Sequence, residues 1–163
     1  MTKAADVYYR VETECPAFQA RMTARALTRY YNACFRPLGI TAEQFSLLVG
    51  IGGSDKPSLA ELAARAGVDA TTLSRSVQSL ERSGLVLNRG GRGRSGKRLA
   101  LTDQGRQLMG DATKAWERAR TQLTDALGEE ALRGALTIMS RLTIAAQSAA
   151  LTAGFEPRNS KAE

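Results

Sequence analysis

Five polar side chains with the chemistry to bind the base edges of a nucleic acid lie close together in one short helical stretch. They are Thr71, Thr72, Ser74, Arg75 and Gln78, and helical spacing turns them away from the apolar residues of the same stretch. Small hydroxyls let a helix approach base edges closely, glutamine can pair with adenine, and arginine can pair with guanine or phosphate. An ordinary solvated helix face is the alternative, although such faces more often carry long Glu and Lys side chains.

A basic segment without acidic residues runs from Arg82 to Thr102. Four of its cations lie in or beside a glycine-rich stretch, and we expect them to contact phosphate or line the minor groove: Arg92, Arg94, Lys97 and Arg98. Leu85 with Leu87, and Leu99 with Leu101, alternate with polar neighbours, which predicts two half-buried strands joined as a hairpin. A disordered tail or an RNA-binding tract would also be rich in Gly and Arg, but the two flanking apolar runs favour the hairpin.

Two short helices are predicted before this hairpin, and they would hold the polar face in place. Ser58 and Glu61 have the spacing of a capping box, in which each side chain satisfies a free amide of the first turn. Gly67 suits the left-handed end of that helix, and Asp69 suits the N-cap of the next. The second helix would bury an apolar stripe of Leu73, Val77 and Leu80. A helix pair followed by a basic hairpin suits duplex DNA, because the helix can enter the major groove while the hairpin binds phosphate.

These residues resemble the MarR (multiple antibiotic resistance regulator) family of winged helix-turn-helix repressors. The resemblance extends from about Cys15 to Gly154 and is carried by Glu61-Leu62-Ala63, Gly67-Val68, Thr72-Leu73-Ser74-Arg75, Leu80-Glu81, Gly84-Leu85-Val86, Leu101-Thr102 and Gly105. It implies a mainly α fold with a small β-wing, and a double-stranded DNA operator as partner. The family usually has an Asp and an Arg at the wing tip, whereas this chain has Gly93-Arg94-Ser95. We therefore expect a mobile loop from Gly90 to Gly96.

Helical patterns outside the hairpin predict a second region that serves assembly. Pro16 would begin a long helix with Thr13 or Glu14 near its cap, and a last long helix would begin near Glu129. The apolar stripes of the terminal helices most simply pack against a second copy, and the resemblance implies the same homodimer. The expected division is a helical dimerisation region at 1–40 and 103–154, a winged helix-turn-helix DNA-binding lobe at 41–102, and a flexible tail at 155–163.

Composition counts against an enzyme. The chain of 163 residues has no histidine and two cysteines outside any CxxC pair, which removes the usual zinc and copper ligand sets and the Ser/His and Cys/His nucleophiles. We therefore expect no catalytic residue, no metal and no cofactor. The net charge of +7 favours a polyanionic partner. The lack of a signal segment or a membrane-length apolar run predicts a cytoplasmic protein with no membrane partner.

The resemblance also implies a pocket for a small aromatic or phenolic effector among the first, second and long helices. The residues that could line it are Arg25, Tyr30, Tyr31, Phe45 and Trp116, and Arg25 would specify an anionic ligand. Each of these residues also fits an ordinary core or surface position.

Cys15 offers a second route to regulation, because it precedes a helix whose amide dipoles stabilise a thiolate. Glu12 and Glu14 oppose that shift. Cys34 lies about 28 Å away if both residues belong to one helix, which is too far for a disulfide within the chain. Some members of the family sense peroxides through a cysteine near the first helix, so a redox-responsive regulator stays open.

The sequence thus predicts a dimeric, sequence-specific transcriptional regulator, a repressor that a small aromatic, anionic effector releases from DNA. A nonspecific architectural DNA-binding protein is one rival, and the small hydroxyls of the polar helix face count against it. A winged helix that binds only proteins is another, and the acid-free hairpin counts against that.

Overall fold

The computed structural model describes residues 2–90 and 97–152, with side chains placed for residues 6–88 and 98–152. Within those ranges the chain is mainly helical, with one antiparallel sheet of two strands. In chain order the elements are α1 (Thr2–Glu14), α2 (Pro16–Phe35), a 3-10 turn (Arg36–Leu38), α3 (Ala42–Gly52), α4 (Leu59–Ala66), α5 (Ala70–Arg82), β1 (Val86–Gly90), β2 (Lys97–Leu101), α6 (Asp103–Leu127) and α7 (Glu129–Thr152).

The predicted caps of the helix pair α4 and α5 are present. The Ser58 hydroxyl accepts a hydrogen bond from the Glu61 amide at 3.2 Å, and the Glu61 carboxylate accepts one from the Ser58 amide at 2.6 Å. Gly67 closes α4 in the left-handed region, with φ of 65°. Asp69 caps α5 by accepting the Thr72 amide at 2.8 Å. These bonds satisfy amides that have no partner inside the helix, so both helices begin at fixed residues.

One apolar core lies where α2, α3, α5, the hairpin and α6 meet, and its largest fully buried side chains are Phe35, Leu48, Ile51, Leu80 and Leu99. The predicted stripe of α5 is buried in it, which confirms the helical period of that segment. Phe35 was not predicted as a core residue. Because it ends α2 and packs on Phe45, it ties that long helix to α3.

The hairpin pairs Val86 with Leu101 and Asn88 with Leu99. This register buries Val86 and Leu99, which are 3% and 1% exposed, and turns Leu87 outward, where it is 41% exposed. The prediction that Leu87 shares a buried face with Leu85 is wrong. Leu85 is buried before the strand begins, and inside the strand the alternation starts at Val86, because successive residues point to opposite faces.

The N-terminal helix α1 was not predicted, and one residue separates it from α2. Cys15 is the N-cap of α2, with φ of −79° and ψ of 114°, and it directly follows Glu14, so the predicted start of α2 at Pro16 is confirmed. Pro16 occupies the first turn of α2, where its missing amide costs no hydrogen bond. A proline also disfavours helical geometry in the residue before it, which explains why the helix breaks at Cys15.

The long helix α7 begins at the predicted residue, Glu129. The Thr102 hydroxyl caps α6 by accepting the Gly105 amide at 2.8 Å. On α7, Leu132 is buried, whereas three residues of its predicted stripe are half-exposed in a single copy: Leu136 at 55%, Met139 at 42% and Leu142 at 48%. A wide apolar surface on α7 therefore faces solvent in the single chain.

Candidate nucleic-acid interface

The helix α5 is anchored along its inner face. Leu73, Val77 and Leu80 insert into the core. Beside them, the Ser76 hydroxyl donates to the Glu43 carboxylate of α3 at 2.9 Å, a link that no sequence motif indicates. α5 is therefore a fixed scaffold for the side chains on its opposite face.

The five polar candidates on α5 fall into two groups. Thr71, Arg75 and Gln78 are exposed on the outer face. The Thr72 hydroxyl donates to the N-cap carboxylate at 2.6 Å and so belongs to the helix cap. Ser74 is half-buried and accepts a hydrogen bond from the Gln78 amide nitrogen at 3.4 Å, which orients the glutamine. Thr71, Arg75 and Gln78 therefore have the most freedom to reach a base edge.

Asp69 is the acidic group next to this face. Hydrogen bonds from the side chain and then the amide of Thr72 lower the pKa of its carboxyl below the ordinary value of 3.8. Asp69 is therefore charged at neutral pH, and the negative charge lies at the positive end of the α5 dipole, where it is favourable.

The hairpin brings its second strand beside the start of α4. Arg92, Arg94 and most of the loop predicted to be mobile lie outside the described residues, and so does the side chain of Lys97. Arg98 is described, and its Nη1 atom lies 3.1 Å from the Glu61 carboxylate. In the free protein this cation therefore contacts a carboxylate of α4.

Gly105 lets α6 pack directly on the start of the hairpin. A Cβ atom at this position would collide with the Leu85 carbonyl oxygen. The Thr102 amide donates to the same carbonyl at 3.1 Å, and the Thr102 hydroxyl donates to the Gly84 carbonyl at 2.7 Å. The long helix and the hairpin are thus joined backbone to backbone, which fixes the direction of α6 relative to α5.

Three of the five candidate effector residues belong to one aromatic row. The ring centroids of Tyr30 and Tyr31 are 5.3 Å apart. The ring of Tyr31 lies 5.9 Å from that of Phe35, which in turn lies 4.5 Å from that of Phe45. Burial raises the pKa of both tyrosine hydroxyls, and the nearby Cys34 adds to the effect. This packing makes the row a part of the core that joins α2 to α3.

The other two candidates are exposed. Arg25 is exposed on α2, and Trp116 is 38% exposed on α6. The Tyr30 hydroxyl lies 3.0 Å from the Ala119 carbonyl and 2.7 Å from the Gln122 side-chain oxygen, which links α2 to α6.

An open cavity of about 380 Å³ lies elsewhere, between the 3-10 turn, the start of α3 and the first half of α6. Its walls are apolar at Leu38, Leu85 and Leu108. Its polar side is formed by Gln44, Gln104, Gln107 and Asp111. The five candidate effector residues do not line it, and no short motif in the sequence marks the residues that do.

Cys15 is half-buried where α1 meets α2. It borders a shallow groove of about 310 Å³ whose other walls are Val7, Arg10, Val11 and Glu14. Cys34 lies far along α2 and is also half-buried, and both thiols are free. The two cysteines thus occupy separate environments on α2.

Among residues 2–90 and 97–152, no group of three or more His, Cys, Asp or Glu side chains is arranged to hold a metal ion. None of the helices described there has the length and apolar character needed to cross a membrane. What the described surface does offer is amide, hydroxyl and guanidinium groups on α5.

A family model and solved structures match the chain. The model of the MarR family matches residues 38–95. The transcriptional regulator MosR of M. tuberculosis is 32% identical, with 84% of this chain and 98% of that chain covered and a TM-score of 0.72. MosR in complex with DNA is 34% identical, covers 82% and 98%, and has a TM-score of 0.70. The repressor CouR bound to p-coumaroyl-CoA is 22% identical, covers 82% and 94%, and has a TM-score of 0.74, which shows likeness of fold. Comparison with curated proteins gave no match.

The match to MosR covers nearly all of that protein, so it includes the flanking helices as well as the winged lobe. The capped helix pair, the exposed polar face of α5 and the antiparallel hairpin are the parts of the fold that such regulators use on DNA. The chain therefore belongs to the MarR family, whose members are DNA-binding transcriptional regulators and not enzymes.

Proposed function

We propose that this regulator is a cytoplasmic repressor that binds a two-fold symmetric operator as a homodimer. The observation that carries the proposal is the outer face of α5, where Thr71, Arg75 and Gln78 are exposed on a helix with a buried inner stripe. Recognition helices of this kind lie in the major groove, while the wing contacts the flanking backbone. The crystal structure of MosR, which is 34% identical to this chain, in complex with DNA supports the same use of this fold.

Substitutions at Arg75 and Gln78 test this proposal. Arg75→Ala and Gln78→Ala should each cost about 1–3 kcal/mol of binding free energy and relax the base preference at one position. The probe is a duplex selected by this protein from a random pool, compared by anisotropy with its single-base variants. Arg118→Ala, an exposed arginine on α6, is the matched control. Unchanged affinity and preference in both α5 variants would remove this face as the reader.

The homodimer in this proposal rests on the apolar surface of α7. Leu136, Met139 and Leu142 are half-exposed in one copy, and Val7 and Val11 add 56% and 51% exposed side chains on α1. Burial of such surface is the dominant force in association. A two-fold axis through these helices would present two copies of α5 to half-sites about 34 Å apart, or one turn of DNA.

We infer that a small ligand releases the DNA by binding in the cavity between the two regions. Gln44 belongs to the DNA-binding lobe, whereas Gln104, Gln107 and Asp111 belong to α6, so an occupant would touch both. Such a ligand shifts DNA binding only if it prefers one spacing of the two lobes. CouR, a protein of the same fold, has been solved with DNA and with p-coumaroyl-CoA.

The cavity lining refines the expected ligand class. The anionic aromatic effector predicted from the sequence depends on Arg25, which is exposed on α2 and does not line the cavity. Three glutamines and one aspartate among the polar lining favour an uncharged aromatic ligand with hydrogen-bonding groups, because a carboxylate there would face Asp111.

A panel of aromatic acids and their neutral amides separates these alternatives. Amides should release the selected duplex more effectively, and Gln107→Leu should abolish the response while Arg25→Ala keeps it. Preferential release by the acids, abolished by Arg25→Ala, would support the anionic effector instead.

Peroxide tests the redox alternative in the same assay. Cys15→Ser should still respond to the aromatic ligands. Release by peroxide alone, lost in Cys15→Ser, would make oxidation of Cys15 the signal and remove the small-ligand proposal.

A further inference from the structure

Arg98 lies at the junction of the hairpin and the helix pair. Its Nη1 atom is 3.1 Å from one oxygen of the Glu61 carboxylate and 3.4 Å from the other. The same nitrogen lies 3.4 Å from the Lys56 carbonyl oxygen. We call this group of Arg98, Glu61 and Lys56 the wing-root brace.

The backbone around Arg98 is attached to the same segment. The Leu99 amide donates to the Pro57 carbonyl at 3.0 Å, and Ser58 forms an antiparallel bridge with Arg98. Strand β2 therefore pairs on one side with β1 and on the other with the residues just before α4. Lys56 holds a φ of 49°, in the left-handed region that side chains other than glycine seldom adopt, so the segment is held in a specific conformation.

The carboxylate of the brace serves two elements at once. Glu61 accepts the Ser58 amide at 2.6 Å as part of the capping box and also contacts the guanidinium of Arg98. The amide of Ser58 first, then its side chain, and then Arg98 hold the pKa of Glu61 below its ordinary value. The carboxylate is therefore charged at neutral pH, and the helix cap and the hairpin share one anion.

We infer that Arg98 is a positioning residue, which holds the root of the wing against α4, and is not one of the cations that neutralise phosphate. The segment from Arg82 to Thr102 contains no acidic residue, so the hairpin cannot supply a carboxylate for its own cations, and Glu61 from α4 does so. If Arg98 left to bind phosphate, the Glu61 carboxylate would remain beside the DNA backbone, where like charges repel. In the brace, by contrast, both charges stay paired.

The two roles of Arg98 predict opposite effects of Glu61→Gln. Glutamine keeps the capping box, which accepts Glu or Gln at this position, but removes the charge that holds Arg98. If Arg98 positions the wing, Glu61→Gln should weaken DNA binding by about two- to fivefold, the range that an exposed ion pair supports. If Arg98 binds phosphate, Glu61→Gln should tighten binding, because a competing carboxylate is gone.

The experiment measures binding to the selected duplex over a series of salt concentrations for Arg98→Ala, Glu61→Gln and the double variant. The brace predicts equal losses in the two single variants, no further loss in the double variant, and a log–log salt slope equal to the parent. Lys97→Ala is the control for a phosphate contact and should flatten the slope by roughly one unit. A flattened slope in Arg98→Ala together with tighter binding by Glu61→Gln would overturn the inference.

Amide hydrogen exchange gives a readout that does not depend on DNA. The Leu99 amide, bonded to the Pro57 carbonyl inside the brace, should exchange faster in Arg98→Ala and Glu61→Gln, and at the parent rate in Lys97→Ala. The DNA-binding measurements rest on the proposed function, whereas the exchange measurement does not. Failure of the brace can therefore be told apart from failure of the proposed function. Parent-like exchange of Leu99 in all three variants would overturn the brace even if DNA binding is confirmed.

Discussion

At the scale of single residues, two carboxylates organise a surface whose function depends on cations. Asp69 fixes the start of α5, and Glu61 fixes the start of α4 while it holds Arg98. Both sit at helix N-termini, where the backbone offers free amides and a positive dipole. The acid-free hairpin and the polar face of α5 thus have carboxylates beside them, at the starts of the two helices.

The cap at Asp69 predicts a pH dependence of stability. Its carboxyl has a lowered pKa in the folded protein, so the charged cap stabilises the fold above the unfolded value of about 3.9, and the stabilisation is lost as pH falls through the folded value. Asp69→Asn keeps an N-cap without the charge. Urea unfolding should show that the parent is more stable than Asp69→Asn at pH 6. The difference between their free energies of unfolding should be smaller at pH 3. An equal difference between the two proteins at both pH values would contradict the charged cap.

At the scale of the elements, the hairpin and the long helix α6 are fixed to the helix pair by backbone contacts. Arg98 and Leu99 pair with the segment before α4, and Gly105 lets α6 contact the Leu85 carbonyl. Side-chain packing is adjustable, whereas backbone contacts of this kind fix direction. The two strands of the hairpin, α5 and α6 therefore keep a set geometry relative to one another.

The tip of the wing should supply salt-dependent affinity. The double variant Arg94→Ala/Lys97→Ala should bind the selected duplex more weakly and flatten its log–log salt slope by roughly two units, one for each phosphate contact removed. Exposed arginines on α6 offer a control, and Arg118→Ala should keep the parent slope. A double variant with the parent slope would exclude the wing from phosphate binding.

Gly105→Ala should destabilise the protein because its methyl group would meet the Leu85 backbone. We expect a loss of about 1–3 kcal/mol in the free energy of unfolding, the cost of overpacking a core. Gly110→Ala, on the same helix, has open space around the new methyl group and should stabilise by about 0.5–1 kcal/mol, because alanine is the better helix former. Chemical denaturation of both variants checks the difference in sign, and equal effects would contradict the close approach.

At the scale of the whole molecule, a single copy leaves apolar surface on its terminal helices uncovered. Its core joins α2, α3, α5, the hairpin and the first half of α6, and leaves apolar residues of α1 and α7 exposed. Large exposed apolar patches often mark a surface that binds another protein. The arrangement fits a molecule in which one end meets DNA and the other end meets a second copy.

Met139→Asp tests the assembly. Met139 is 42% exposed in one copy, so the charge is tolerable in a monomer but would be buried without a partner in the dimer, at a cost of several kcal/mol. The variant should sediment as a monomer or unfold, and Thr137→Asp, on another face of α7, should behave like the parent. A parent protein that sediments as a monomer at micromolar concentration would refute the homodimer.

Much of the DNA-binding lobe could be predicted from short-range patterns. The capping box of Ser58 and Glu61, the left-handed Gly67 and the buried stripe of α5 depend on residues within one or two helical turns, and each is present. Leu87 was misplaced because alternation alone does not state where a strand begins. The start of α2 at Pro16 was predicted correctly, because proline favours the first helical turn, whereas the helix α1 before Cys15 was not predicted.

The sequence by itself determined the family resemblance, the helix pair with its caps, the polar face of α5 and the acid-free basic hairpin, because all of these depend on residue type and local spacing. Only the tertiary structure decided that Arg98 lies on Glu61, that Ser76 bonds Glu43, and that the cavity is lined by glutamines and Asp111. Those contacts join residues that are far apart in the chain. Their partners are chosen by the register of the hairpin and the angle between α3 and α6, and no local pattern encodes either quantity.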